Sequence, residues 1–220
     1  MDWLIVSLLN GVCYGLLLFM LSAGLTLIFS MMGVINFAHA SFYMLGAYFA
    51  YAAAGALGAA HVSPGAAFWI ALFIAPVLTG AAGAAVERFA LRRLRPRGHV
   101  AELLFTFALA YVIVELVQLA WGRSPVPYRI PDALAEPIFL LGGHAFPKHR
   151  LLIAAAAGAM LAALWWGVRH TRIGLVMQAA ISHPDMAQAL GHDVPRIYVW
   201  VFAAGCALAG MAGAIGGSIF

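Results

Sequence analysis

The chain has 220 residues, of which 65% are hydrophobic and 9% are charged, and its formal net charge is +4. Soluble globular domains carry about 25% charged residues, so this composition excludes an ordinary soluble domain and predicts an integral membrane protein. The arginines lie in short connections between apolar runs, so the positive charge is a topology signal and does not indicate nucleic-acid binding. Cys13 and Cys206 lie inside apolar runs, which argues against a disulfide framework.

Six long apolar runs predict an all-α fold, a polytopic bundle of transmembrane helices in one domain, residues 1–220. The first run carries no Asp, Glu, Lys or Arg, and as a helix it would reach about 40 Å, enough to cross the ~30 Å hydrocarbon core with tilt. The predicted spans are residues 3–29, 41–60, 66–86, 103–121, 151–168 and 197–220.

The connections between the runs predict the orientation. Five arginines lie between residues 88 and 97, and the positive-inside rule places such a connector in the cytoplasm. Counting spans from there puts the proline-rich loop 122–150 outside and the polar segment 169–196 inside. The same count puts the N-terminus outside, unless the junction 33–41 is re-entrant, in which case the N-terminus lies inside.

The junction between the first two spans is uncharged but polar. Gly33, Asn36, His39 and Ser41 interrupt the apolar sequence there. Irregular backbone inside a membrane survives only where protein buries it or a water-filled cavity meets it, and discontinuous helices often mark a transport site. An ordinary tight turn at the membrane surface is an equal alternative, and His39 could be a hydrogen-bonded residue at a helix end.

Polar residues also form a stripe on the fourth span. Tyr111, Glu115 and Gln118 are spaced i, i+4 and i+7, so they share one helix face. Ionisable residues within membrane spans are candidates for function. The stripe predicts either a pore-lining surface or a structural hydrogen bond to a neighbouring helix.

Small residues recur at intervals of four in several spans, which allows close approach of membrane helices. We expect intramolecular packing at most of them, with a dimer face as the alternative. The candidate packing residues are Gly46, Gly58, Gly205, Ala209, Gly213 and Gly217.

The polar segment 169–196 predicts two short amphipathic helices at the cytoplasmic surface. Residues 171–182 form the first. Pro184 and Asp185 suit the first turn of the second, and Gly191 suits its end. Without a partner this would be a hairpin on the membrane surface.

Enzyme motifs are missing from the sequence. Its one lysine, Lys148, is not part of a phosphate-binding loop, and neither a paired-histidine metalloprotease helix nor a nucleophile elbow is present. We therefore expect no catalytic residues, no metal site and no cofactor bound by this chain.

Residues 24–48, GLTLIFSMMGVINFAHASFYMLGAY, resemble the N-terminal signature of the branched-chain amino acid permeases of ABC importers, the LivH branch. Further matches are Val86-Glu87-Arg88, Trp121-Gly122 and the small-residue run 205–213. Ser30 and Ala40 replace common glycines of that family, Gln178 replaces a usual arginine, and His183 stands where Asn or Asp is common. The resemblance covers nearly the whole chain in order.

The resemblance implies a permease subunit of an ATP-driven importer for branched-chain amino acids in the bacterial cytoplasmic membrane. Its implied partners are a second homologous permease, two ATP-binding subunits carrying ATP and magnesium, and an extracytoplasmic substrate-binding protein; nucleic acid is not among them. It implies that the cytoplasmic segment couples to the ATPase through Thr171, Arg172, Gly174, Gln178, Ala179, Pro184, Asp185, Ala187 and Gly191. The expected translocation path includes Asn36, His39, Ser41, Tyr111, Glu115 and Gln118.

Three alternatives stay open on the sequence. The same architecture could import urea, short amides or other amino acids, because the binding protein largely sets selectivity. A stand-alone carrier or channel would transport without an ATPase, and the two-helix cytoplasmic segment argues against it. The missing catalytic groups argue against the third alternative, a non-transporting scaffold or intramembrane enzyme. Because relatives continue with further spans past the Ala-Gly-rich helix, we also expect the sequence to be partial.

Overall fold

The computed structural model describes residues 2–33, 35–124, 126–128, 130–141 and 144–218; the last two residues of the predicted sixth span lie outside them. In chain order the elements are α1 (Asp2–Met32), α2 (His39–Ala59), α3 (Pro64–Val86), a π-helical turn (Glu87–Leu91), α4 (Arg92–Leu94), a 3-10 turn (Arg95–Arg97), α5 (His99–Trp121), α6 (Asp132–Ala135), β1 (Pro137–Leu141), β2 (His144–Pro147), α7 (His149–His170), α8 (Arg172–Ser182), α9 (Pro184–Ala189) and α10 (Val194–Gly216).

Within the described residues, six helices are long and apolar enough to cross a membrane. They confirm the prediction of a polytopic, predominantly helical membrane protein. The third is longer than predicted, because α3 continues through the π-helical turn to give a stretch from Pro64 to Arg97. The loop 122–150 contains a short antiparallel hairpin of β1 and β2 that the sequence did not predict.

Helix α10 lies at the centre of the bundle. In its most apolar stretch 61% is buried inside the protein, against 17 to 33% in the corresponding stretches of the other five spans. It packs against α1, α2 and α3, and the last two also pack against each other. The fold is thus three helices around α10, with α5 and α7 packed at its periphery.

Small residues explain how three helices approach α10 at once. A Cβ on Gly205 would meet the Gly24 carbonyl oxygen of α1 at 2.8 Å, and one on Gly83 of α3 would meet the Cys206 side chain at 2.7 Å. The backbone of Gly213 lies directly against the Tyr43 carbonyl of α2. Such contacts gain dispersion energy that larger residues would prevent.

Three connections lie at one end of the bundle. The 3-10 turn meets the first turns of α10, where the Arg95 guanidinium stacks on the Tyr198 ring. Met31 at the end of α1 shares an apolar cluster with Met177 of α8. The basic connector, the α1–α2 junction and the α8–α9 segment therefore share one end, as the orientation inferred from arginine placement requires.

The opposite end carries the long loop. Tyr128 stacks on Phe68 of α3 with ring centroids 6.3 Å apart and meets Tyr51 of α2 edge-on. Lys148 donates a hydrogen bond to Glu136 at 2.6 Å, which closes the base of the β1–β2 hairpin and lowers the pKa of Glu136. The loop is therefore anchored to α2 and α3 at Tyr128 and closed on itself at the base of the hairpin.

Candidate functional site

The junction between α1 and α2 is set back inside the bundle. His39 Nε2 donates to the Leu21 carbonyl at 2.9 Å, and Leu21 lies about 16 Å from the end of α1 by helical rise. The Phe37 N–H donates to Thr106 Oγ1 at 3.4 Å, about 10 Å into α5. The chain reverses at Gly33, whose φ of +68° favours glycine. These contacts place the start of α2 beside α1 and α5, back from the ends of both helices.

Two polar side chains of the junction are buried and incompletely paired. Asn36 and His39 are each 3% exposed. Asn36 Oδ1 accepts the Ala38 N–H at 3.1 Å, which shapes the turn into α2. Asn36 Nδ2 and His39 Nδ1 have no hydrogen-bond partner among the described residues. Unpaired buried polar groups are costly, so this pair is a candidate for binding a polar ligand.

Four of the six predicted path residues line two separate grooves. Asn36 and His39 line an open groove of about 560 Å³ against α1, whose wall is largely apolar and also includes Ser22. Ser41 and Tyr111 line a separate groove of about 280 Å³ between α2 and α5. Ser41 Oγ also donates to the Ala110 carbonyl at 3.2 Å, which ties α2 to α5.

The rest of the polar stripe on α5 faces away from the bundle. Tyr111 is 62% exposed, Glu115 is exposed and Gln118 is half-buried. Among the described residues Glu115 has no hydrogen-bond or ion-pair partner, so the structural hydrogen bond to a neighbouring helix is not formed among them. Glu115 and Gln118 line neither groove.

Helix α8 is folded back against the end of α7 by three polar contacts. Thr171 caps α8: its Oγ1 donates to the Gly167 carbonyl at 2.5 Å and accepts the Gly174 N–H at 3.0 Å. Gln178 Nε2 donates to the Val168 carbonyl at 2.8 Å. Gly174 lies against those same two carbonyl groups, where a side chain would not fit.

The remaining predicted coupling residues surround this fold-back. Ala187 is the buried residue of α9, and Gly191 follows the end of that helix with a φ of +87°. Large apolar side chains nearby face outward: Leu175 is 58% exposed, Met186 67% and Leu190 80%. The exposed members of the predicted set are Arg172, Gln178, Ala179, Pro184, Asp185 and Gly191.

Of the predicted packing residues, five lie in tight or buried positions. Gly46, Gly205, Gly213 and Gly217 each contact a neighbouring helix, and Ala209 is fully buried. Gly58 differs: it is exposed near the end of α2, with open space where a Cβ would be. The packing face of α2 therefore stops before it.

Comparison with known protein families identifies the family of this chain. Residues 7–220 match the family described as branched-chain amino acid transport system, permease component. The chain belongs to this permease family. No solved structure gives a significant match.

Curated relatives agree with this permease family. The high-affinity branched-chain amino acid transport system permease protein LivH of Escherichia coli is 26% identical over 97% of this chain and 70% of its own length. BraD of Pseudomonas aeruginosa, which carries the same description, is 25% identical over 94% of this chain and 68% of its own length. The probable branched-chain amino acid transport permease LivH of Methanocaldococcus jannaschii is 26% identical over 94% of this chain and 64% of its own length.

One buried charged cluster of this permease was missed from the sequence. Glu87 is fully buried in the π-helical turn, Glu102 is 2% exposed in the first turn of α5, and Arg95 lies between them. The available signal was the presence of two acids at the membrane-facing edges of a basic connector. We interpreted that connector only as a topology signal.

Proposed function

We propose that this chain is the transmembrane permease subunit of an ATP-driven ABC importer for branched-chain amino acids in the bacterial cytoplasmic membrane. The observation that carries the proposal is the family match across residues 7–220. The names of the LivH and BraD relatives support the substrate class. The six apolar helices support a multi-pass location in the membrane.

The groove on α1 has chemistry that suits such a substrate. A free amino acid carries a carboxylate, an ammonium group and, in this class, an aliphatic side chain. An amide N–H such as Asn36 Nδ2 donates to a carboxylate, and an unprotonated ring nitrogen such as His39 Nδ1 accepts from an ammonium group. The apolar wall, with Leu18, Phe19 and Leu25, suits the aliphatic part.

The α8–α9 segment is proposed as the docking site for the ATP-binding subunits. Its inner face is fixed to α7 by Thr171 and Gln178, so it would move with the transmembrane helices when pushed. Its outer face presents Leu175, Met186 and Leu190, and exposed apolar groups of this size typically mark a protein interface.

The outer face of α5 supports a second permease subunit. A carboxylate such as Glu115 facing lipid in mid-span would be expensive, and intramembrane acids usually face protein or a water-filled cavity. Tyr111 lies one turn away on the same face. A homologous permease against α5 would cover both residues and the groove beside Ser41.

Transport in this scheme uses rigid-body motion. ATP binding closes two ATPase subunits and displaces α8–α9, which shifts the bundle between outward- and inward-facing states. An extracytoplasmic binding protein delivers the substrate at the end that carries loop 122–150. The set-back junction at 33–38 then lies between the two openings.

Co-purification tests the assembly. The tagged chain is expressed with candidate ATP-binding subunits, and their capture is measured for the wild type and for Leu190→Ser. The matched control is Leu151→Ser, because Leu151 is 61% exposed on α7 at the opposite end. Capture that is lost only in Leu190→Ser supports the docking face. If the folded wild-type chain retains no ATPase, a stand-alone carrier becomes the better account.

A further inference from the structure

A buried ion-pair cluster joins three elements beside the junction. Arg95 Nη2 donates to Glu87 Oε1 at 2.6 Å, and Arg95 Nε lies 3.7 Å from Glu102 Oε1. The Arg95 guanidinium also stacks on Tyr198 of α10, 3.8 Å from the ring centroid. The carboxylate side chains are 0% and 3% exposed, while Arg95 is 29% exposed. One guanidinium therefore fastens the π-helical turn, the first turn of α5 and the start of α10.

Toward the membrane, the cluster is in contact with the junction. Thr106 lies one helical turn after Glu102 on the same face of α5, and its Oγ1 accepts the Phe37 N–H. Glu102 and Asn36 line a common void of only about 10 Å³. Because Glu102 and Asn36 border the same small void in close-packed surroundings, we expect displacement of Glu102 to shift the junction.

Toward the cytoplasmic segment, the cluster continues through Tyr198. Its ring packs on an apolar cluster that includes Met177 and Ala180 of α8 and Ala187 of α9. Val194, at the first residue of α10, is fully buried in the same cluster. A push on α8–α9 is therefore passed to the ring on which Arg95 is stacked.

Arginine suits this position for physical reasons. Its planar guanidinium can donate to carboxylates in its plane while its face stacks on an aromatic ring. Lysine would provide a point charge without the plane, so it would retain ion pairing and lose the stacking geometry. The cluster also holds two carboxylates for one guanidinium, which makes Arg95 the shared element.

We propose that Arg95 is a positioning residue that couples displacement of α8–α9 to movement of the α1–α2 junction. The inference rests on the proposed importer function. It adds the residue through which movement of the ATP-binding subunits is transmitted to the transport path. Removal of Arg95 should leave ATP hydrolysis in place and disconnect it from transport.

The test uses the complete importer reconstituted in proteoliposomes with its ATP-binding and substrate-binding subunits. Leucine uptake and ATP hydrolysis are measured together, and their ratio is the readout, because a merely structural defect lowers both in proportion. The variants are Arg95→Gln, Arg95→Lys and Tyr198→Leu, and Tyr198→Phe retains an aromatic face. Arg93→Gln is the matched control, since Arg93 is exposed two residues away.

We expect Arg95→Gln and Tyr198→Leu to lower the uptake-to-hydrolysis ratio at least tenfold. Arg95→Lys should give an intermediate ratio. Tyr198→Phe and Arg93→Gln should give the wild-type ratio. Arg95→Gln leaves two buried carboxylates without their guanidinium and could therefore fail to assemble. In that case the triple variant Arg95→Met, Glu87→Gln, Glu102→Gln, which has no buried charge in the cluster, is measured in its place. An unchanged ratio in a transporting variant overturns the role of Arg95 and leaves the importer intact. Absence of ATP-dependent uptake in the wild type overturns the importer function itself.

Discussion

Gly46 of α2 lies directly against the backbone of Gly210 of α10, with no room for a Cβ between them. On its other side Gly210 meets Thr79 of α3, where a Cβ would lie 2.5 Å from Oγ1. Three helices thus meet at one glycine of α10. This contact fixes the centre of the bundle and, through α2, the position of the junction below it.

Substitution at this contact should separate the helices. Gly46→Ala places a methyl group against the Gly210 backbone, and such overpacking costs about 1–3 kcal/mol. We expect a lower thermal unfolding temperature in detergent, measured by differential scanning fluorimetry. Gly58→Ala on the same helix is the control, because Gly58 has open space around it. Equal unfolding temperatures for the two variants would contradict the packing described.

The fold-back of α8 can be tested in the same way. Gly174→Ala directs a Cβ into the carbonyl groups of Gly167 and Val168, so α8 should be displaced from α7 and ATP-driven uptake should fall at least tenfold. Gly167→Ala, in open space, should transport normally. Full uptake by Gly174→Ala would show that the placement of α8 against α7 is not needed for coupling.

A substitution at Asn36 can distinguish its role in forming the turn from its role in binding a ligand. Asn36→Ser retains an oxygen that can accept the Ala38 N–H but loses the Nδ2 donor. Loss of one hydrogen bond to a carboxylate costs about 1.4 kcal/mol, or tenfold in affinity, so the KM for leucine uptake should rise about tenfold at unchanged expression. Ser30→Ala, on α1 outside the groove, should leave it unaltered. A wild-type KM in Asn36→Ser would remove Asn36 from the path.

Tyr128 makes the end of the bundle that carries loop 122–150 sensitive to alkaline pH. Burial raises the pKa of Tyr128 to about 12, whereas an unfolded tyrosine ionises near 10. The folded state therefore retains the proton that the unfolded state loses, and stability should decrease between about pH 10 and pH 12. Tyr128→Phe removes this titration while retaining the ring stacked on Phe68. Unfolding temperatures measured across that pH range should fall less in the variant, and parallel curves would contradict the assignment.

The sequence was most informative where a local chemical rule determines the structure. Long apolar runs predicted the spans, because each helix must satisfy its own backbone in lipid. Thr171, Pro184 and Gly191 marked the ends of α8 and α9, because capping and positive φ are properties of single residues.

Positions that depend on neighbouring helices were not predictable. Lipid is as apolar as a protein core, so hydrophobicity alone does not distinguish the central α10 from the peripheral α5. The spacing of Tyr111 and Glu115 correctly placed them on one face but did not give its direction, which is away from this chain. The Arg95 cluster joins residues from three elements, and its geometry exists only after they pack.

The most direct measurement of the central claim is leucine accumulation by proteoliposomes that contain this chain with its partner permease, ATPase and binding-protein subunits. The account predicts leucine uptake that requires ATP on the side of the membrane where the ATPase subunits lie. Isoleucine and valine should compete with this uptake, and omission of this chain should abolish it. Uptake that is independent of ATP would identify a carrier or channel. ATP-dependent uptake of urea or another amino acid in place of leucine would keep the importer and contradict the substrate.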